Sequence, residues 1–261
     1  MEVIIQPNAA AATRLVARLI AKALRQNPGL VLGLATGRTM EQVYALLADM
    51  HKEEGLDFAR CRTFNLDEYA GLPPEDNHSY RFYMNHHLFA KVNIDRRNTH
   101  LPDGMADDLD AACIRYEQAI QEAGGIDFQL LGIGHDGHIG FNEPLSALRS
   151  RTRVKVLTPQ TMAANGPLFD GRERMPRRAL TMGVGTILDS KRCVLLAAGT
   201  AKADILAKAV EGPITAMVSA SALQLHPHCT IVVDEEAAAR LEGKDYYRFV
   251  FRNEPEWQEF Q

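Results

Sequence analysis

The sequence predicts an α/β fold: a mostly parallel, open, Rossmann-like sheet with helices on both faces, in a single domain. Three observations carry this reading. Short apolar runs of strand length alternate with amphipathic stretches over all 261 residues, the order expected of repeated βα units. One run, Leu30-Val31-Leu32-Gly33-Leu34-Ala35, is apolar without alternation, as in a strand buried on both faces. No internal repeat, low-complexity segment or long Gly/Ser or Pro linker breaks the pattern, so one domain over residues 1–261 is expected.

The elements follow in order. Residues 1–5 read as a short strand. Asn8 is the N-cap candidate of a helix in which Leu15, Val16, Leu19, Ile20 and Leu24 recur at helical spacing. Asn27-Pro28-Gly29 stops it. The buried strand 30–35 comes next, then a helix from Thr39 to about Met50. A strand is expected over 62–66, a helix over 79–89, and a helix over 108–122 ended by Gly124-Gly125. Strands over 128–133 and 153–157 follow, then a helix that includes 186–189, a strand over 193–198 and a helix over 202–210. A strand over 230–233, capped by Asp234, and a final helix close the chain.

Composition narrows the function. The net charge is −4 and the sequence pI about 6.1. Phosphate backbones want a basic face, so no nucleic-acid partner is expected. No apolar run approaches the length of about 18 residues that a membrane span needs, and the start, Met1-Glu2-Val3, lacks the basic opening of a secretory signal. A cytoplasmic protein is expected. Cys61, Cys113, Cys193 and Cys229 are far apart and mostly within apolar runs, as reduced, buried thiols would be.

In open α/β sheets, ligands bind beyond the carboxyl ends of the strands. Four such ends are rich in glycine or polar residues. The first is Thr36-Gly37-Arg38-Thr39, where a tight turn and free helix N–H groups make a phosphate-sized anion site; the plain alternative is a turn capped by Thr39. The second is Asp67-Glu68, acids that face a ligand or cap a turn. In the third, Asp136, His138 and Glu143 fall within eight residues. Carboxylates flanking a histidine raise its pKa and orient its ring, which suits acid–base work near neutrality. The fourth is Gly199-Thr200-Ala201-Lys202, where the lysine meets a phosphate or simply solvent.

Two other patterns invite different readings. Gly132-Ile133-Gly134-His135-Asp136-Gly137 matches GxGxxG. However, no acid lies about 20 residues on, where the ribose would be held, and Phe141-Asn142-Glu143-Pro144 breaks the helix that would carry a pyrophosphate. No nicotinamide cofactor is expected. A metal from His135, Asp136 and His138 lacks a recognised zinc spacing, and His226-Pro227-His228 before Cys229 reads as a proline turn ahead of the last strand; no metal is expected.

Taken together, the motifs are more specific than any one of them. Phe64-Asn65-Leu66-Asp67-Glu68-Tyr69, Asn77-His78-Ser79-Tyr80, Leu131 through Pro144, Ala179 through Leu188, Val210-Glu211-Gly212 and Ser221 through His228 together resemble the glucosamine-6-phosphate deaminase/isomerase family, from about Val3 to about Arg248. The resemblance implies conversion of glucosamine 6-phosphate to fructose 6-phosphate and ammonia without metal or organic cofactor. It implies that His138 carries a proton from O1 to O5 as the sugar ring opens, with Asp136 and Glu143 setting its charge. Asp67 would move a proton from C2 to C1. Thr36, Gly37, Arg38, Thr39 and Lys202 would hold the phosphate. It also implies a homo-oligomer, hexameric in some members, with Ser146, Arg153 and Lys155 where an activating N-acetylglucosamine 6-phosphate binds.

The chain departs from the family at two places that matter. In Ala164-Asn165-Gly166-Pro167-Leu168-Phe169-Asp170, Pro167 stands about where family members carry an arginine that reaches the phosphate. Arg38 stands where a small residue is common, so Arg38 is expected to supply the missing cation. His135 stands where an asparagine is common. Three alternatives stay open: a related amino sugar 6-phosphate as substrate, a 6-phosphogluconolactonase-like hydrolase, and a non-catalytic sugar-phosphate sensor.

Overall fold

The computed structural model describes residues 1–169 and 175–261; Asp170 lies outside the described residues. In chain order the first elements are β1 (Glu2–Gln6), α1 (Ala9–Gln26), β2 (Val31–Leu34), α2 (Arg38–Glu54), β3 (Arg62–Asn65), β4 (Asp67–Tyr69), α3 (Tyr80–Met84), β5 (Thr99–His100), α4 (Leu109–Glu122) and β6 (Phe128–Leu131). Then come β7 (Arg153–Val156), α5 (Pro159–Asn165), β8 (Arg178–Thr181), α6 (Val184–Leu188), β9 (Cys193–Ala197), α7 (Ala203–Val210), β10 (Cys229–Asp234) and α8 (Lys244–Asn253). No helix among the described residues is long and apolar enough to cross a membrane.

Seven strands in the order β1-β10-β9-β6-β2-β3-β5 form a central sheet, and every adjacent pair is parallel. Its strands are buried on both faces, as the unbroken apolar runs require: Val31–Leu34, Phe128–Leu131 and Cys193–Ala197 have no exposed residue. Helix α1 shows how the surrounding layer forms. The Asn8 side chain accepts from the Ala11 N–H at 2.9 Å, and Leu15, Val16, Leu19, Ile20 and Leu24 are buried against the sheet's core.

Strand order decides where a ligand can sit. From β2 the chain goes to β3 and β5 on one side; from β6 it goes to β9 and β10 on the other. The crevice therefore opens beyond the carboxyl ends of β2 and β6.

The structure differs from the expected elements in four places. First, the expected strand 62–66 splits at Leu66. The Leu66 N–H bonds Leu34 O in the central sheet at 2.9 Å, while Leu66 O accepts from Met182 N at 2.6 Å. The chain thereby passes into a second, antiparallel sheet ordered β4-β8-β7. The expected strand 153–157 belongs to this small sheet, and β4 and β8, like the two-residue β5 of the central sheet, were not expected at all: two to four residues such as Asp-Glu-Tyr carry no periodicity to read. Second, Thr39 is not the cap of α2; Gly37 is, with no side-chain bond. Third, the expected helix 79–89 is α3, capped by the Ser79 side chain, running into a wider π-type turn at Asn85–Phe89. Fourth, α5 was missed, although Thr158-Pro159 is a recognisable helix start, with an N-cap hydroxyl and a proline at the first position.

Candidate active site

A cleft of about 460 Å³ opens at the carboxyl end of the central sheet, and all four loops singled out from the sequence line it. The loop after β2 turns at Gly37, whose φ of 117° and ψ of 163° suit glycine alone. The turn lets the backbone start α2 with its first N–H groups free of any side-chain cap, and Thr36, Arg38 and Thr39 border the cleft beside them. Arg38 is exposed and makes no ion pair among the described residues. Across the cleft, the Gly199 N–H bonds the Asp234 carboxylate at 3.0 and 3.1 Å. That contact fixes the loop whose Lys202 donates from Nζ to Ile133 O at 2.8 Å. Lys202 is half-buried, not a solvated surface charge.

The loop after β6 gathers three side chains. His138 Nδ1 lies 2.7 Å from Asp136 Oδ1 and 3.5 Å from Glu143 Oε2. The His138 N–H also donates to Asp136 Oδ1, at 3.1 Å. Burial by itself would lower the His138 pKa, but the two carboxylates outweigh it and raise it to about 9. Burial opposes ionisation of Asp136 and Glu143 as well, yet pairing with His138 holds both below the usual carboxylate range. His138 is thus an imidazolium at neutral pH. The glycines that mimic a dinucleotide motif have another purpose here. A Cβ on Gly134 would sit 2.4 Å from the His138 ring, so the glycine makes room for the imidazole.

Asp67 faces the same cleft from the start of β4. It is 6 % exposed. Burial first, and then its neighbour Glu68, raise its pKa to about 7, with His138 opposing. A carboxylate poised there can both take and return a proton near neutrality. Glu68, by contrast, has a structural role. It accepts from the N–H groups of Tyr69, Tyr80 and Arg81, each at 2.9 Å, and so caps α3 and holds β4 in place.

The metal patterns set aside in the sequence have other contacts here. Asp136, His138 and Glu143 converge, and His135 does not join them. The charge of Lys202, then burial, lowers the His135 pKa. His226 Nδ1 accepts from the His228 N–H at 3.0 Å, and its Nε2 lies 2.7 Å from Ser190 O, the bonds of a turn.

The roof of the cleft was legible in part: the stretch from Ala164 was singled out for Pro167, whereas Gln160 and Thr161 were not. Gln160, Thr161, Ala164, Asn165 and Leu168 line it together with Pro167, and Tyr80 lines the wall. The Thr158 N–H donates to Glu143 Oε1 at 3.1 Å, so the roof also anchors one of the three converging side chains. The Thr-Pro helix start was the signal for its first half.

A family model for glucosamine-6-phosphate isomerases/6-phosphogluconolactonase matches residues 6–232. The chain belongs to this family.

Among its relatives, the glucosamine-6-phosphate deaminase of Streptomyces coelicolor is 49% identical over 259 residues, 99% of each chain. That of Cutibacterium acnes is 51% identical over 249 residues, 95% of each. A solved structure described as a monomeric glucosamine-6-phosphate deaminase superposes with a TM-score of 0.90 at 45% identity, covering 92% of this chain and all of the other. The 6-phosphogluconolactonase of Trypanosoma cruzi superposes with a TM-score of 0.75 at 20% identity, over 92% of this chain and 97% of its own; it shares the fold. Within the family fold, Ser146, Arg153 and Lys155 lie outside the cleft. Ser146 is buried with no partner for its hydroxyl among the described residues, and Arg153 donates to Asn142 Oδ1 at 2.9 Å.

Proposed function

We propose that this chain converts glucosamine 6-phosphate to fructose 6-phosphate and ammonia, acting as one catalytic domain. The observation that carries the reading is one cleft holding both a buried carboxyl poised near 7, Asp67, and an imidazolium held by two carboxylates. Aldose–ketose isomerisation with deamination needs both. The closed sugar must open first: a proton leaves O1 and one arrives at O5, and His138 can deliver and recover it. Asp67 then takes the C2 proton, and the substrate's own ammonium gives a proton to O1, as the C1–C2 double bond of an enediol-type intermediate forms. Returning the Asp67 proton to C1 leaves an iminium at C2. Water adds to the iminium, and ammonia departs. One carboxylate can perform both carbon transfers because C1 and C2 are adjacent.

The phosphate anchors the far end of the sugar. Thr36, Gly37, Arg38 and Thr39 border one side of the cleft and Lys202 the other, and these two are its lysine and arginine cations among the described residues. Pro167, in the roof, contributes no charge. Arg38→Ala is therefore expected to raise KM for glucosamine 6-phosphate about tenfold, with kcat within about threefold, as loss of a charge-assisted contact made equally in ground and transition states. An unchanged KM would overturn the assignment of Arg38 to the phosphate.

The reading is tested by measuring ammonia release from a panel of amino sugar 6-phosphates, beside hydrolysis of 6-phosphogluconolactone. Release from glucosamine 6-phosphate above the others supports it. Preference for another amino sugar moves the substrate, lactone hydrolysis moves the reaction class, and binding without turnover leaves only a sensor.

A further inference from the structure

The two proton-transfer centres belong to different parts of the fold. Asp67 sits on β4 in the small antiparallel sheet, whereas His138 and Glu143 sit on a loop from the central sheet. Both must meet one substrate, and a misplacement of about 1 Å can cost about a hundredfold in rate. One side chain touches every element concerned. Tyr69 is two residues from Asp67 on β4, hence on the same face of the strand. Its ring packs 5.5 Å from that of Phe141, in the His138 loop, and perpendicular to that of Phe169, at the end of the roof, at 5.3 Å. Its hydroxyl accepts from Asn165 Nδ2, in the roof, at 3.2 Å and from the Tyr80 hydroxyl at 3.3 Å. Tyr69 is 2 % exposed.

The roof is thus pinned twice. At one end the Thr158 N–H holds Glu143 Oε1; at the other the Asn165 amide holds the Tyr69 hydroxyl. We propose that Tyr69 is a positioning residue that keeps the Asp67 strand, the His138 loop and the roof in register, acting on the reaction through the Asn165 bond. This inference rests on the mechanism proposed above and extends it to a group that touches no reacting atom. Burial raises the phenol to about 12, so the hydroxyl stays neutral and the bond persists across the working pH range.

The test is steady-state kinetics of the full chain on glucosamine 6-phosphate. Tyr69→Phe keeps the ring packing and removes only the hydroxyl. We expect kcat to fall about tenfold with KM within about threefold, the pattern of disturbed positioning and not of lost binding. The alkaline limb of kcat should move to lower pH, because the helix that brings the Thr158 N–H to Glu143 is then pinned at one end only, and Glu143 is held less firmly beside His138. Asn165→Ala should give the same loss, and the double variant should be no worse than about twofold below either single one, as for residues acting through one bond. A wild-type kcat and alkaline limb in Tyr69→Phe, or losses that add in the double variant, would overturn the inference. Asp67→Asn assayed alongside separates the two levels. If it keeps activity, the mechanism itself fails; if it is inactive while Tyr69→Phe is unaffected, only the role of Tyr69 falls.

Discussion

Asp67→Asn is expected to lower kcat for ammonia release by about a thousandfold or more, since a positioned acid–base group is worth about 10²–10⁴ and this one serves two transfers. The amide fills the same space, so the fold should survive. Its stability should even rise. Folding takes the Asp67 pKa from its ordinary 3.8 to about 7, so the folded chain holds this proton more tightly than the unfolded one. That advantage is complete below about pH 4 and is lost as pH climbs through about 7, because the unfolded carboxyl ionises first. At pH 8 the buried charge burdens the fold by a few kcal/mol, at about 1.4 kcal/mol for each tenfold difference. Asp67→Asn removes that burden and should melt higher than the wild type at pH 8, with little difference at pH 4. Loss of activity joined to gain of stability is the signature of a group kept for chemistry. Ammonia release that survives the substitution would overturn its role as the proton carrier.

The second large effect is in the pH profile. Asp67 must be ionised to take the C2 proton, so kcat/KM should rise with pH through about 7. His138 must be protonated to give a proton to O5, so the rate should fall as pH rises through about 9. A bell with those limbs is expected. Glu143→Gln removes one of the two carboxylates that hold His138 charged. The alkaline limb should therefore move to lower pH, with the rate at pH 7 falling severalfold or more. The phosphate and amine of the substrate titrate identically for both enzymes, so the difference between the two profiles is the quantity to read. The same raised pKa links His138 to stability: its contribution is full below about pH 6.5 and disappears as pH rises through about 9. An alkaline limb that stays put in Glu143→Gln would show that Glu143 does not control His138.

Much of the site was legible before folding because its chemistry is local in the chain. Asp136, His138 and Glu143 occupy one loop, and the rule that ligands gather at the carboxyl ends of parallel strands pointed to Thr36–Thr39 and Lys202 as well. The helix and strand periodicities that mark the central sheet are also short-range, so α1, β2, β6 and β9 were readable. The errors have a common cause. Strands β4 and β8 are too short to show a period, and their pairing depends on residues more than a hundred positions apart, Asp67 against Thr181. The GxGxxG pattern, set aside in the sequence for want of a ribose-binding acid, records only where the backbone is crowded and not what crowds it; at Gly134 the neighbour is the His138 ring. His226-Pro227-His228, read as a turn before the last strand, has the bonds of one, between its two histidines and to Ser190.

By itself the sequence determined the α/β class, the mostly parallel character of the main sheet, the four loops that line the cleft and the identity of the charged groups in them. These follow from hydrophobic periodicity and from turn residues, which act over a few positions. Tertiary structure alone decided the switch of sheets at Leu66, the roof that anchors Glu143, the Tyr69 contacts, and above all the titration of Asp67. A carboxyl is an ordinary surface acid until residues far along the chain exclude water from it, and no local pattern records that exclusion.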